Sequence, residues 1–172
     1  MAHITVRKIE EMKEVCLEPK AIELKDSDEA YWVIREPGRN LTIFAPYRLG
    51  REFPKTYGHF HVPPYEETYK VLYGKAAFLI QKMEGEKVSE VQFKVLEEGE
   101  SFTVPLGFGH TMLNLGDDYV ITMDDHDPKH FENDYSLIKK LRGFAYYIVE
   151  KDGGWESIPN ENYKNLPPLK SD

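Results

Sequence analysis

Apolar and polar side chains alternate along much of the middle of the chain, which is the pattern of strands buried on one face. The alternation is clearest over residues 88–96, where polar residues separate Val91, Phe93 and Val95. Similar short runs recur about every ten residues, with turn-forming Gly and Glu residues between several of them. The predicted strands cover residues 69–72, 76–83, 88–96, 101–104, 111–115 and 119–123. This spacing predicts an antiparallel sandwich or barrel, because the strands of a parallel sheet would alternate with helices.

Further strands are predicted nearer the amino terminus. Apolar positions between residues 4 and 17 predict a short strand that runs into a helical turn ending before Pro19. Two apolar runs, at 30–34 and 41–46, predict a pair of strands, because Glu36-Pro37-Gly38-Arg39-Asn40 between them has the composition of a turn.

The last third of the chain predicts one helix, over residues 134–141, with Asn133 or Asp134 as its N-cap. A final strand is predicted at 144–149. The Asn-, Pro- and Lys-rich segment after Ile158 is expected to be a tail on the surface.

The composition is that of a folded, soluble protein: of 172 residues, 41% are hydrophobic and 30% are charged. This length predicts a single domain over residues 1–172. Its core would span about 40–150, between an N-terminal strand and helix extension at 1–39 and a C-terminal strand and tail at 150–172.

The net charge of −8 argues against a nucleic acid or an anionic membrane as partner, since phosphate-binding surfaces are basic. A small anionic substrate stays compatible, because a local pocket can oppose the overall charge. Cys16 is the only cysteine, so no intrachain disulfide can form. The first residues do not resemble a signal peptide, and no apolar stretch approaches the roughly 20 residues of a membrane span. We therefore expect a cytoplasmic protein.

Candidate metal ligands occur around residue 60. Side chains two apart in a strand share a face, so His59 and His61 would point the same way. A carboxylate follows at Glu66 or Glu67, and His110 lies further along the chain. Three imidazoles and a carboxylate suit Fe(II), Mn(II), Ni(II) or Zn(II) and leave coordination positions open for a substrate. A His-x-His pair alone is more typical of an exposed strand face, so the prediction depends on these positions converging.

The segment from Gly99 to Asn114 has the spacing Gly-x5-Pro-x-Gly-x2-His-x3-Asn, with Pro105, Gly107 and His110 at its inner fixed positions. It resembles the second motif of the cupin superfamily. Pro105 and Gly107 also suit a tight turn into a strand, which would place His110 opposite the histidine pair. The resemblance implies a mainly β cupin fold, a double-stranded β-helix or jelly-roll barrel with a few short helices.

The first cupin motif, His-x-His-x3–4-Glu-x6-Gly, is matched by His59, His61, Glu67 and Gly74 with one additional residue before the glutamate. Glu67 has the motif's spacing to Gly74 and shares a strand face with Tyr69. We therefore prefer Glu67 to Glu66 as the ligand.

Within the superfamily, the chain resembles the cupin-type glucose-6-phosphate isomerases, which are known chiefly from archaea. The resemblance rests on Gly50-Arg51-Glu52-Phe53, Thr56-Tyr57-Gly58-His59-Phe60-His61, Glu67-Thr68-Tyr69 and Asp134-Tyr135. It implies isomerisation of glucose 6-phosphate and fructose 6-phosphate in glycolysis or gluconeogenesis by a homodimer.

The resemblance also implies roles for individual residues. One divalent ion per chain, Fe(II) before Mn(II), Ni(II) or Zn(II), would be bound by His59, His61, Glu67 and His110. Substrate contacts are implied at Thr42, Thr56, Gly58 and Tyr69, whose hydroxyls and backbone N–H would hold phosphate or sugar oxygens without positive side chains. Glu67 is the implied base, Tyr135 the implied proton-handling or orienting residue, and Tyr31 a further candidate in the pocket.

The chain departs from the family at several positions. Asn133 stands where the family has a histidine, and His130 is a candidate replacement. Ala76 and Ala77 stand where the family has glycines after the first motif. His3 and His126 are expected to be surface histidines, and so is His130 if it does not replace the histidine missing at Asn133.

Two other functions fit the same ligands. An acireductone-type cupin dioxygenase would use them to bind Fe(II), although that family has an arginine where this chain has Tyr69. A non-catalytic cupin that binds metal or sugar is the other alternative. For an isomerase, proton transfer by Glu67 through an enediol and a direct hydride shift both remain open.

Overall fold

The computed structural model of the protein describes residues 2–127, 129 and 132–171. None of the helices in this part of the chain is long and apolar enough to cross a bilayer. The strands are β1 (His3–Lys8), β2 (Glu29–Arg35), β3 (Asn40–Phe44), β4 (Phe60–Val62), β5 (Glu67–Tyr73), β6 (Ala76–Glu84), β7 (Lys87–Leu96), β8 (Ser101–Val104), β9 (Phe108–Asn114), β10 (Val120–Asp124), β11 (Glu132–Asp134), β12 (Tyr146–Lys151), β13 (Gly154–Pro159) and β14 (Lys170–Ser171). The helices are α1 (Ile9–Met12) and α2 (Ser136–Lys140), with 3-10 turns at Lys13–Val15 and Pro19–Ala21.

Two larger sheets make up the barrel, in the orders β1-β2-β3-β10-β5-β8 and β14-β7-β6-β9, while β4 pairs with β11 and β12 with β13. The chain crosses between the two larger sheets after β5, after β7, after β8 and after β9, so their strands are interleaved in sequence. Side chains from both sheets fill one apolar core, where Tyr69 packs against Phe78 with ring centroids 4.9 Å apart. The predicted mainly β, cupin-type architecture is confirmed.

Most predicted elements are present. The runs near the amino terminus form β1, α1 and the β2–β3 pair, in which Trp32 lies opposite Ile43. Helix α2 begins two residues later than predicted, with Tyr135 at the N-cap. The carboxylate of Asp134 still accepts the N–H of Ser136 at 2.8 Å.

The end of the chain differs from the prediction. Strands β11, β13 and β14 were not predicted, and the segment after Ile158 is not simply a surface tail. Asn160 and Tyr163 are buried, and the Tyr163 hydroxyl donates to the Gly143 carbonyl at 2.8 Å. These polar groups satisfy backbone carbonyls of the preceding loop, so a composition typical of a tail here packs against the barrel.

A buried ion pair connects the N-terminal extension to the segment that leads to the histidines. The Lys55 ammonium contacts the Glu52 carboxylate and donates to the Val15 carbonyl at 2.8 Å. The other carboxylate oxygen of Glu52 accepts the Leu17 N–H at 2.6 Å. Because each charge is buried and has several partners, this pair fixes both segments relative to each other.

Candidate active site

Backbone pairing places two candidate ligands opposite each other. His59, which immediately precedes β4, and His110 in β9 exchange both backbone hydrogen bonds, at 3.1 and 3.0 Å, and their ring centroids are 4.5 Å apart. The predicted turn is present, since Phe108 N–H donates to the Pro105 carbonyl at 3.1 Å and Gly107 has φ 81°. This positive φ favours glycine, and the turn sets the register that aims His110 inward.

The carboxylate comes from the first residue of β5. Glu67 is buried with Tyr69 on the inner face, whereas Glu66 is exposed. The Glu67 Oε2 atom lies 3.2 Å from His61 Nε2 and 3.3 Å from His110 Nε2. The predicted strand register therefore brings Glu67, and not Glu66, to the histidines.

One ligand atom from each of His59, His61, Glu67 and His110 lies within 4.8 Å of all the others. The His59 and His61 Nε2 atoms are 2.9 Å apart. Metal–nitrogen bonds of about 2.0–2.1 Å imply ligand atoms roughly 3 to 3.4 Å apart in octahedral or tetrahedral geometry. The separations of 2.9 Å between His59 and His61 and of 3.2 and 3.3 Å from Glu67 to His61 and His110 fit ligands of one first-row divalent ion.

The electrostatics of the four groups also suit a cation. Burial lowers the pKa of His61 to about 4 and of His110 to about 3, so both imidazoles are neutral and keep a lone pair for a metal. Burial raises the pKa of the Glu67 carboxyl well above its usual range, and the nearby Asp124 adds to this. A divalent cation would reverse that effect by favouring the carboxylate, which the neutral imidazoles cannot do.

The cluster opens into a cavity of about 290 Å³, close to the lower limit of typical small-molecule sites. His61, the fourth member of the cluster, lies beside the cavity and does not line it. The cavity brings together the predicted ligands and substrate residues His59, Glu67, His110, Thr42, Thr56, Gly58, Tyr69 and Tyr135, and Tyr31 also lines it. The structure brings these residues together, and their roles in metal and substrate binding remain predictions.

Two tyrosines place hydroxyl groups next to the cluster. The Tyr69 hydroxyl donates to Glu67 Oε2 at 2.9 Å and lies 2.8 Å from His110 Nε2. The Tyr135 ring lies 5.6 Å from the His59 ring, and its hydroxyl accepts from Asn133 Nδ2 at 3.3 Å. The hydroxyls can therefore orient the carboxylate and a substrate on two sides of the site.

Asn133, at the position where the resemblance implies a histidine, lies on the cavity wall. It lies opposite His61 in the β4–β11 pair, and its Oδ1 is buried without a hydrogen-bond partner in the described part of the chain. The predicted substitute, His130, lies outside the described residues.

His126 corrects the expectation of a surface histidine. It is only 5% exposed, and its Nδ1 lies 2.7 Å from the Tyr65 hydroxyl and 4.0 Å from Glu67 Oε1. Thr122, Asp124 and His126 alternate along and beyond β10, and this period of two was the available sign that His126 points inward.

Two arginines were also missed. Arg7 from β1 and Arg35 from β2 line the cavity, whereas the substrate contacts had been expected to contain no positive side chains. Arg35 continues the inward-facing alternation of Tyr31 and Val33.

Comparison with known proteins assigns the chain to a family. The family model for glucose-6-phosphate isomerase (GPI) matches residues 20–165. A glucose-6-phosphate isomerase of Pyrococcus abyssi is 30% identical over 93% of this chain and 88% of its own length. One from Thermococcus kodakarensis is 29% identical over 92% and 87%. Among solved structures, a mutant of Bacillus subtilis oxalate decarboxylase is 17% identical with a TM-score of 0.49, covering 62% of this chain and 28% of the other. The chain belongs to the glucose-6-phosphate isomerase family.

Proposed function

We propose that the chain interconverts glucose 6-phosphate and fructose 6-phosphate with one divalent metal ion bound by His59, His61, Glu67 and His110. The observation that carries this proposal is the convergence of these ligands on a cavity lined by hydroxyl groups. Membership of the isomerase family supports the choice of reaction.

The reaction moves a hydrogen between C1 and C2 of the sugar. A divalent ion bound at the cluster would supply positive charge that polarises the substrate carbonyl. Glu67 removes the proton from C2 of the aldose, and the proton on O2 is transferred to O1 through the Tyr135 hydroxyl. Glu67 then returns its proton to C1, which gives the ketose. The Oε1 atom of Glu67 is the base, because Oε2 faces the Tyr69 hydroxyl and two imidazoles.

The burial of Glu67 and the polar groups around the cavity support these roles. Burial raises the pKa of the Glu67 carboxyl, and a bound cation would oppose this shift by favouring the carboxylate form that acts as the base. The buried Oδ1 of Asn133 is an acceptor for a sugar hydroxyl, and Thr42, which lines the same cavity, offers a hydroxyl. These groups fix the open-chain sugar with its first two carbons at Glu67.

We propose Fe(II) as the bound ion because the resemblance to the cupin-type isomerases implies it, with Mn(II), Ni(II) and Zn(II) as alternatives that the same imidazole and carboxylate ligands would accept. We also propose that the protein is a homodimer in the cytoplasm. Strand β1 supports this assembly, since it is a sheet edge on which Ile4 is 64% exposed. Size-exclusion chromatography with light scattering would return the mass of the monomer if the assembly were wrong.

An assay coupled to glucose-6-phosphate dehydrogenase tests the reaction directly. With fructose 6-phosphate as substrate we expect steady NADPH formation and no oxygen uptake at an oxygen electrode. Oxygen uptake with a chelating enediol substrate, together with no isomerisation, would assign the site to the dioxygenase class. Metal binding without turnover of either substrate would favour a non-catalytic cupin.

In the proposed mechanism, hydrogen passes through a protein carboxylate. Isomerisation in deuterium oxide should therefore place solvent deuterium in the product. Complete retention of the substrate's C2 hydrogen would show a hydride shift instead.

A further inference from the structure

The proposed substrate carries a phosphate dianion, which the acidic surroundings of the cluster would repel. Glu67 and Asp124 line the same cavity, and the chain as a whole has a net charge of −8. Because the proposed metal ion would lie at the C1 and C2 end of the sugar, a second positive group in the cavity would be suited to the phosphate end. Arg7 and Arg35 are the arginines that line it in the described part of the chain.

The two arginines differ in their partners. Arg7 Nη1 donates to Glu11 Oε1 at 2.6 Å, and its Nε donates to the Tyr31 hydroxyl at 3.3 Å. Its charge is thus already paired with a carboxylate. Arg35 donates only from Nε, to Thr5 Oγ1 at 3.1 Å. Within residues 2–127, 129 and 132–171, its two Nη groups have no hydrogen-bond partner and no carboxylate forms an ion pair with it.

The position of Arg35 suits the far end of a sugar phosphate. Glu67 is on β5, and the sheet order β2-β3-β10-β5 separates it from Arg35 by three strand spacings, about 14 Å between backbones. The two side chains project into the same cavity and shorten that gap. A hexose with C1 and C2 at Glu67 would extend its C6 end across this distance.

Arg35 lines the same cavity as His59, Glu67 and His126. Its guanidinium therefore lies in the space that a ligand bound at the cluster would occupy.

We propose that Arg35 binds the phosphate of the sugar phosphate through its two free Nη groups and determines the preference for phosphorylated over free sugars. This role rests on the proposed isomerase function. Thr5 fixes the guanidinium through Nε and leaves both Nη groups available for a fork-like contact with two phosphate oxygens.

Calorimetric titration of the metal-loaded protein with 6-phosphogluconate and with gluconate tests the assignment. Arg35→Gln should weaken binding of 6-phosphogluconate about 10- to 100-fold, because it removes a charge-assisted, two-point contact, and should leave gluconate binding unchanged. Arg35→Lys should recover part of the loss as a point charge. The matched control is Arg39→Gln, in the β2–β3 turn, where the guanidinium is exposed and paired with Glu36. It should change neither affinity.

Three results would overturn the role of Arg35: unchanged 6-phosphogluconate binding by Arg35→Gln, an equal loss of gluconate binding, or no preference of the wild-type protein for the phosphorylated ligand. If Arg35→Gln does not fold, as judged by circular dichroism, Arg35→Lys decides the question. The role of Arg35 stands if the preference of Arg35→Lys for 6-phosphogluconate over gluconate is weaker than that of the wild type, and it is overturned if the preference is unchanged.

Kinetics separate this proposal from the proposed function. Arg35→Gln should raise KM for fructose 6-phosphate while kcat changes little, because the phosphate is remote from the reacting carbons. If the wild-type protein isomerises and Arg35→Gln has a normal KM, the isomerase function stands and the phosphate-binding role of Arg35 is wrong. If the wild-type protein is inactive, but prefers 6-phosphogluconate to gluconate and loses this preference in Arg35→Gln, the isomerase function is wrong and the binding role of Arg35 stands.

Discussion

Replacing Tyr69 by Phe removes one oxygen atom from the centre of the site. That hydroxyl donates to Glu67 Oε2 at 2.9 Å and lies 2.8 Å from His110 Nε2. Burial raises the pKa of the Glu67 carboxyl, and the Tyr69 hydroxyl works in the opposite direction. Tyr69→Phe should therefore leave Glu67 less well oriented and more readily protonated, which weakens it as a base.

The size of the effect follows from the kind of hydrogen bond. A hydrogen bond to a charged group contributes about 1.5–3 kcal/mol, and each 1.36 kcal/mol is a tenfold change in rate. We expect kcat/KM for fructose 6-phosphate to fall about 10- to 100-fold. The metal content should stay near that of the wild type, because the four ligands are intact. Stability should change little, since the ring still packs against Phe78.

The control is Tyr73→Phe in the same strand. Tyr73 is 43% exposed, and its hydroxyl donates to Asp118 at the surface at 2.7 Å. Steady-state kinetics and metal analysis of both variants check the prediction. Wild-type kcat/KM in Tyr69→Phe, or an equal loss in Tyr73→Phe, would refute the role of the buried hydroxyl.

Three further substitutions test the framework of the site. Glu52→Gln leaves the buried Lys55 ammonium without its carboxylate partner and should lower the free energy of unfolding by about 3–5 kcal/mol in urea titrations. Gly58→Ala should lower the melting temperature and the metal content, because Gly58 has φ 80° and an added Cβ would collide with the Phe144 ring. His126→Ala removes one partner of the Tyr65 hydroxyl beside Glu67 and should lower kcat/KM about 3- to 10-fold with metal retained.

Each substitution has a matched control. Arg51→Gln breaks an exposed pair with Glu18 and should cost less than about 1 kcal/mol. Gly153→Ala has a similar positive φ of 76° but no atom within 4 Å of the added Cβ, so only the backbone strain remains. His3→Ala changes an exposed histidine and should leave activity unchanged. If a control variant loses as much stability, metal or activity as the variant it is matched to, the contact removed in that variant does not have the effect assigned to it.

The parts of the site that the sequence predicted correctly depend on local geometry. Two-residue alternation puts His59 and His61 on one side, and the Pro105–Gly107 turn sets the register of His110. Strand register likewise distinguishes Glu67 from Glu66. Each inference needs only the backbone of one or two neighbouring strands, which short-range patterns determine.

The missed residues depend on how distant strands curve around one cavity. Arg35 and His126 follow the inward alternation of their own strands, but nothing local shows that both face the same space as Glu67. Strand β13 begins at the second of two consecutive glycines, Gly153 and Gly154, which locally favour a turn. Tyr163 packs inward where its hydroxyl meets the Gly143 carbonyl and the Gln81 side chain. Long-range packing of this kind overrides composition.

Titration of the metal-free protein with Fe(II) or Mn(II), followed by the rate of glucose 6-phosphate formation from fructose 6-phosphate, tests the central claim most directly. Activity should be absent without metal, rise in proportion to added ion and level off at one ion per chain. His110→Ala should show no such rise, because it removes one of the four converging ligands. Full isomerase activity in the metal-free wild-type protein, or an unchanged titration curve in His110→Ala, would contradict the account.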